Sequence, residues 1–454
     1  MSSSKKRVRF SQTNQYRSFD KTAIIQNNPV LKSFCGKLDQ WSKLYESDHM
    51  VSTKIEILSS IIFDIVQNPK SIIPDCLQMF KNVKYEEYKY SKVYFEFEPR
   101  LKSSLKGKGD AVILLGSLIC EYNSDINKLP VAIKIAFKTS EDIPRSERDN
   151  SGEIEYEILL KIKDSLLKKQ SPNFIFPFIF QECDLNIIFE QDSNLDPKFI
   201  ESVKPSFIKN QTQNRFSNDT IITVMERGKG TLSDLIMNSI QDENMSWEEF
   251  ESTIIIPVFF QIGYAFKVLL NLGIVHHDTH MENIFVDSYD ELQNIYYMYE
   301  NKINNIRTRY VPKIFDFDQS YLKGEENLGL RNTALCKIHG ICNTFNQKWD
   351  LYRFLITFHS TLIYYLDRNP SKSDWADQYM EFITRKNKWV DQDFASKEYS
   401  VLYDSAKKRE LFNLPDEILI SVDNFISSLA PFFENVDSKY LEPNQIVYNF
   451  KNQK

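Results

Sequence analysis

Between Ile274 and Phe285 the chain reads Ile-Val-His-His-Asp-Thr-His-Met-Glu-Asn-Ile-Phe, which sets Asp278 five residues ahead of Asn283 between two apolar runs. Further on, Lys313-Ile314-Phe315-Asp316-Phe317-Asp318 ends another apolar run in an aspartate. Upstream, Val131-Ala132-Ile133-Lys134 ends one in a lysine. Apolar flanks of this kind suit buried strands and the loops that leave them. One such pattern says little; three in a fixed order constrain the fold strongly.

The ordered set resembles the signatures of the protein-kinase superfamily: the V-A-I-K strand lysine, the H-R-D-x-x-x-x-N catalytic loop and D-F-G, here D-F-D. The likeness runs from roughly Leu101 to the C-terminus. It implies an α+β, bilobal fold with a small β-rich N-lobe, a large helical C-lobe and an added N-terminal helical extension. The expected division is a flexible basic tail over 1–28, the extension over 29–92, the N-lobe over 93–225 and the C-lobe over 226–454.

The resemblance also implies an ATP- and magnesium-dependent Ser/Thr protein kinase acting on protein hydroxyls. Phosphoryl transfer needs positioning and charge neutralisation more than covalent chemistry. Lys134 would reach the α- and β-phosphates, with Glu155 its preferred carboxylate partner and Glu153 the runner-up. Glu155 is preferred because Ile158, Leu159 and Ile162 then share its helical face. Asp278 would act as the base, and Asn283 and Asp316 as the magnesium ligands. Gly107 and Gly109 supply the first two glycines of a phosphate lid, with Val112 where a third is expected. Met225 would flank the adenine, and the backbone from Glu226 to Gly228 would hydrogen-bond it. Asp350 would brace the catalytic loop from a later helix.

Several positions depart from the pattern. His277 takes the arginine position of H-R-D, so the usual anchor for an activation-segment phosphate is missing. His280 takes the place of the lysine two residues after the base and is expected to contact the transferred phosphate, as in D-x-H-x-x-N phosphotransferases. Asp318 replaces the glycine and is either a further magnesium ligand or, the favoured reading, a stiffer loop end, and there is no A-P-E. These departures resemble the divergent kinases of large nucleocytoplasmic DNA viruses of the poxvirus and mimivirus type. Abundant Asn, Lys, Ile, Tyr and Phe with only 12 Gly agree with an AT-rich genome. The alternatives are a small-molecule or lipid kinase of the D-x-H-x-x-N type, suggested by His280, and a pseudokinase scaffold, suggested by the incomplete lid.

Other features bound the setting. A net charge of -6 argues against a general nucleic-acid binder. Six cysteines at irregular spacing show no disulfide framework, which points to a reducing compartment. With no signal-like N-terminal run, the expected location is cytoplasmic, or the virion, without secretion. Thr253 to Val275 is apolar enough for a membrane span, but Pro257, Gln261 and Lys267 within it favour a buried helix. Gln191 to Asp219 reads as a polar insertion without period, and Asp287 to Arg309 as a longer hairpin. Cys336, His339 and Cys342 are three possible zinc ligands, short of the usual four. In the tail, Arg7, Val8 and Phe10 match the R-V-x-F motif that docks type-1 protein phosphatase by strand addition.

Overall fold

The computed structural model describes residues 29–45, 51–68, 72, 76–80, 92–98, 111–122, 125–144, 148–191, 195–212, 216–332, 336, 343–390, 420–442 and 445–451. The glycine lid (Gly107, Gly109), the docking motif (Arg7, Val8, Phe10) and most of the Cys336–Cys342 stretch lie outside these residues.

The architecture is mixed α+β, with a sheet-rich region followed by a largely helical one. Helices α1 (Pro29–Tyr45) and α2 (Val51–Gln67) come first. A five-stranded antiparallel sheet follows, built from β1 (Lys92–Phe97), β2 (Ala111–Tyr122), β3 (Asp125–Thr139), β4 (Pro177–Asp184) and β5 (Phe216–Glu226) in the order β1-β2-β3-β5-β4. Its strands are rich in Ile, Val and Phe, which suit a pleated surface packed on a core. Helix α3 (Ser151–Leu167) lies against β3, β4 and β5, burying Ile154, Ile158, Leu159, Ile162 and Leu166 at helical spacing.

Helices α1 and α2 pack on the sheet as part of its core: α1 lies against β2 and β3, and α2 against β4 and α3. Two disulfides fasten this region, Cys35 of α1 to Cys120 of β2 and Cys76 to Cys183 of β4. These pairs correct the expectation that the cysteines form no disulfide framework. The partners lie 85 and 107 residues apart, and sheet formation brings them together.

The stretch from 191 to 219 also differs from its sequence reading. After a short helix, α4 (Leu185–Gln191), it forms α5 (Pro197–Thr212). Phe199, Val203 and Phe207, at i, i+4 and i+8, are buried along one side of α5. Ile200 is only partly buried and Ile208 is exposed, so the buried stripe is thin and does not stand out among the polar residues of the sequence.

The helical region begins with α6 (Leu232–Gln241), capped by Thr231 and Asp234 in a reciprocal capping box. Trp247 to Asn271 forms one long apolar helix, whose main part is α7 (Ile256–Asn271). A short strand, β6 (Ile274–Val275), leads into the loop at Asp278. Then β7 (Ile284–Tyr299) and β8 (Lys302–Ile314) form the long hairpin anticipated for the Asp287–Arg309 insertion. Strand β9 (Tyr321–Leu322) pairs with β6. Helices α8 (Trp349–Leu366), α9 (Trp375–Glu381) and α10 (Val422–Leu429) follow, and β10 (Glu434–Val436) and β11 (Val447–Tyr448) complete a second sheet in the order β10-β8-β7-β11. Helix α7 packs against β8, α8 and α10 and is buried around most of its circumference.

Backbone contacts join the two regions where the polar loops emerge. Ile314 N–H donates to Asn173 O at 3.0 Å, Ile175 N–H to Ile314 O at 3.2 Å, and Val286 N–H to Gly230 O at 2.9 Å. Helix α2 adds a bridge, with Lys54 Nζ 4.5 Å above the ring of Tyr289 on β7.

Candidate functional site

Lys134 stands on β3 among Val131, Ile133 and Ile135, all buried, and is itself withdrawn from solvent. There Nζ lies 2.7 Å from Glu155 Oε2 and 2.9 Å from Asp316 Oδ1. The choice between glutamates thus falls to Glu155, which points inward from α3; Glu153 is less buried and senses Lys138 and Asp149 instead. Burial alone would lower the pKa of Lys134, but Asp316 and Glu155 hold it well above the ordinary lysine value. Burial opposes ionisation of Asp316, and Lys134 outweighs it, keeping Asp316 below the usual carboxylate range. For Asp318 the balance is reversed: burial and the neighbouring charge of Asp316 outweigh the attraction of Lys134 and raise it well above that range.

The Asp278 loop is held from beneath. Asp350, at the start of α8, accepts the backbone N–H groups of His276 and His277, each at 2.8 Å, and its own carbonyl accepts the Thr279 hydroxyl at 2.8 Å. His276 ties this loop to the Asp316 segment. Its Nδ1 accepts from Asp278 N–H at 3.3 Å, so Nε2 carries the proton and donates to Phe315 O at 2.8 Å. His277 and Asp316 both sit at positive φ, 67° and 63°. Backbone strain of this kind persists where surrounding contacts over-determine it, commonly at functional sites.

Asp278 is engaged on both carboxylate oxygens. Oδ2 faces His280 Nε2 at 3.5 Å and Asn283 Nδ2 at 3.4 Å; Oδ1 faces Arg353 Nη2 at 3.5 Å. Burial would raise its pKa, but the hydrogen bond and charge of His280 and the charge of Arg353 bring it down to about 2. The group is therefore ionised at neutral pH, with the character of an orienting acceptor more than of a strong base. His277, by contrast, is pushed down to about 4 by burial, and its Nε2 meets Thr344 O at 3.2 Å. It is a neutral packing residue at neutral pH.

Asn283 and Asp316 are adjacent through backbone pairing: Ile284 lies opposite Ile314, and Phe315 N–H donates to Asn283 O at 3.2 Å. The Asn283 amide nitrogen is turned to Asp278 (its Nδ2 is 3.0 Å from Asp278 O), so the amide oxygen is the end left for a ligand. Among the described residues no cluster of three or more His, Cys, Asp or Glu is spaced to bind a metal unaided. A magnesium ion held by one carboxylate, one amide oxygen and phosphate oxygens does not require such a cluster.

Met225 is buried near the end of β5. Glu226 also makes contacts that the sequence did not announce. Its backbone N–H donates to Phe176 O at 2.8 Å, and its carboxylate is buried 2.6 Å from Lys313 Nζ. Asp287, half-buried, reaches the same ammonium at 2.8 Å, completing a Glu226–Lys313–Asp287 triad that holds Lys313 charged. The Glu226 N–H is therefore not free for a base. Gly228 lies against the Phe285 ring, which a Cβ at 228 would overlap, and Phe285 stacks on Phe315 at 3.8 Å.

The sequence reading missed Arg353, the Lys313 triad and the Phe285–Phe315 stack. Arg353 had a usable signal, since it stands at i+3 from Asp350 and so on the same helical face. The triad had none, because its members come from three separate strands.

No family model matches the chain, and no curated protein matches it in sequence.

Proposed function

We propose that the protein is an ATP- and magnesium-dependent kinase of protein hydroxyls, with a bilobal protein-kinase-like fold. In this reading the five-stranded sheet and α3 form the small lobe, and the region from α6 onward forms the large one. The observation that carries the reading is Lys134 held between Glu155 and Asp316, with Asp278 and Asn283 on the adjoining loop.

These groups fit a magnesium nucleotide. Glu155, Asp316 and Asp318 are three carboxylates that sense one ammonium, Lys134, so the pocket has a surplus of negative charge suited to a divalent cation. Bound magnesium supplies neutralisation of the polyphosphate charge. Lys134 orients the α- and β-phosphates, its own position fixed by Glu155. Asp278 accepts a hydrogen bond from the acceptor hydroxyl and turns its oxygen toward the γ-phosphate. Asn283 and Asp316 hold hard oxygen atoms at the cation position. The two disulfides fit a non-reducing setting better than the reducing one expected from cysteine spacing.

The test is incubation of the pure, oxidised protein with γ-labelled ATP, with and without magnesium, and with a generic protein acceptor. Magnesium-dependent label on the protein supports the reading. Label on a small hydroxyl compound alone would redirect it to a small-molecule kinase, and nucleotide binding without transfer would leave a scaffold.

A further inference from the structure

We propose that Arg353 is a positioning residue for Asp278, supplying from α8 a cationic contact to the carboxylate oxygen opposite the one that His280 and Asn283 face. This inference rests on the kinase reading above and deepens it.

Three observations carry it. The first is the helical face. Asp350, Arg353 and Thr357 stand at i, i+3 and i+7 of α8, which places them on one side of that helix. Asp350 holds the backbone of His276 and His277, and the Thr357 hydroxyl, whose nearest acceptor is Arg353 O at 2.8 Å, also lies 3.3 Å from Thr279 O. Arg353 lies between them and is the cationic member of a face shaped to the Asp278 loop.

The second is the geometry of the carboxylate. Arg353 Nη2 sits 3.5 Å from Oδ1, while His280 and Asn283 occupy the Oδ2 side at 3.5 and 3.4 Å. Contacts on both oxygens fix the rotation of the carboxylate. The spacing is wider than the 2.7 Å between Lys134 and Glu155, so Asp278 is steered without being closed off, and its lone pairs stay open to an acceptor hydroxyl.

The third is the state of the guanidinium. Its Nε is buried and lacks a hydrogen-bond partner among the described residues. A guanidinium recruited only for packing strength would be expected to have its donors satisfied.

The experiment uses the full-length oxidised protein with magnesium and ATP, comparing wild type, Arg353→Met and Arg353→Lys. Methionine keeps much of the volume and removes the charge. Its kcat is expected to fall about 10- to 100-fold, with the KM for ATP within about twofold and the melting temperature nearly unchanged. Lysine should recover a substantial part of kcat. In an Asp278→Asn background, Arg353→Met should cause little further loss, because its effect passes through Asp278.

Wild-type kcat in Arg353→Met overturns the inference. So does an equal loss in the methionine and lysine variants accompanied by a lower melting temperature, which would mark a structural role. A wild-type protein that transfers no phosphate removes the kinase reading itself and this inference with it. Transfer by wild type and by Arg353→Met alike removes this inference alone.

Discussion

Lys134 Nζ and Asp316 Oδ1 lie 2.9 Å apart although 182 residues separate them in the chain. The contact joins the middle of the first sheet to the segment after β8, so the ammonium is shared between two carboxylates and Asp318 is left crowded beside them. Removing charge from Asp316 and from Asp318 should therefore act with opposite signs. Asp316→Asn discards a favourable pair and should lower stability modestly, while cutting phosphoryl transfer by about a hundredfold or more. Asp318→Asn removes an unfavourable charge and should raise the melting temperature of the nucleotide-free protein at neutral pH. Because the native state raises the pKa of Asp318, its penalty is present at neutral pH and fades as acidification protonates the native carboxyl. The gain from Asp318→Asn should shrink accordingly on acidification. Calorimetry of both variants across pH checks the signs, and a destabilised Asp318→Asn would disprove the crowding.

Lys313 is the single ammonium between Glu226 and Asp287, and all three side chains are largely withdrawn from solvent. Breaking a buried pair by removing one partner typically costs about 3–5 kcal/mol, because the remaining charge is stranded. Lys313→Met should lose stability on that order in urea unfolding. Adding Glu226→Gln to it should recover part of the loss, since one stranded carboxylate is then gone. A double variant no more stable than Lys313→Met would show that Glu226 is not what the lysine supports.

The parts legible in the sequence were those whose chemistry is local. Asp278 and Asn283 share one loop, Lys134 ends one apolar run, and Glu155 is singled out by the apolar residues on its own helix. Asp350 braces the Asp278 loop as expected, and the apolar stretch after Thr253 forms the buried α7. What the sequence concealed depends on long-range closure. Cys35 finds Cys120 only after the sheet forms, and Glu226, Lys313 and Asp287 meet only across β5, β8 and β7. Helix α5 escaped for a different reason: one narrow stripe of Phe199, Val203 and Phe207 was enough to fix it against the sheet.

Gly228 is set by the space its neighbour occupies. A methyl group there would overlap the Phe285 ring, which is itself stacked on Phe315. Gly228→Ala should therefore displace the ring or the connection after β5 and weaken ATP binding by about tenfold, or ~1.4 kcal/mol. Combining it with Phe285→Leu should restore part of the affinity by freeing the space. Equilibrium binding of a fluorescent ATP analogue distinguishes this from a simple need for backbone freedom, which Phe285→Leu would not relieve.

The disulfides should account for much of the attachment of α1 and α2. Cross-links closing loops of this length are worth typically about 2–4 kcal/mol, chiefly by restricting the unfolded chain. Replacing both Cys35 and Cys76 by serine should lower the midpoint of urea unfolding and increase proteolysis between α1 and β1. Adding reductant to wild type should lower the midpoint by at least this much, and the double variant, which keeps the disulfide at Cys336, should respond less. Reductant sensitivity of equal size in both proteins would mean that these pairs do not form.

The last prediction concerns acid. His359, buried on α8 and stacked on Tyr379 at 5.8 Å, is pushed down to about 4 by burial, as His277 is. The unfolded chain binds a proton at each histidine near pH 6.5, whereas the native protein resists it until about pH 4. More protons bind to the unfolded state within this window, so stability must rise with pH there. Each histidine's contribution is complete above about pH 6.5 and is lost as pH falls toward 4. A difference of this size between the folded and unfolded chains corresponds to about 3 kcal/mol at each site. His359→Phe keeps the ring and removes the proton site, so a plot of unfolding free energy against pH should lose roughly half of its histidine-dependent slope. An unchanged slope between pH 4 and 6.5 would mean that His359 takes up its proton in the folded protein as readily as in the unfolded one.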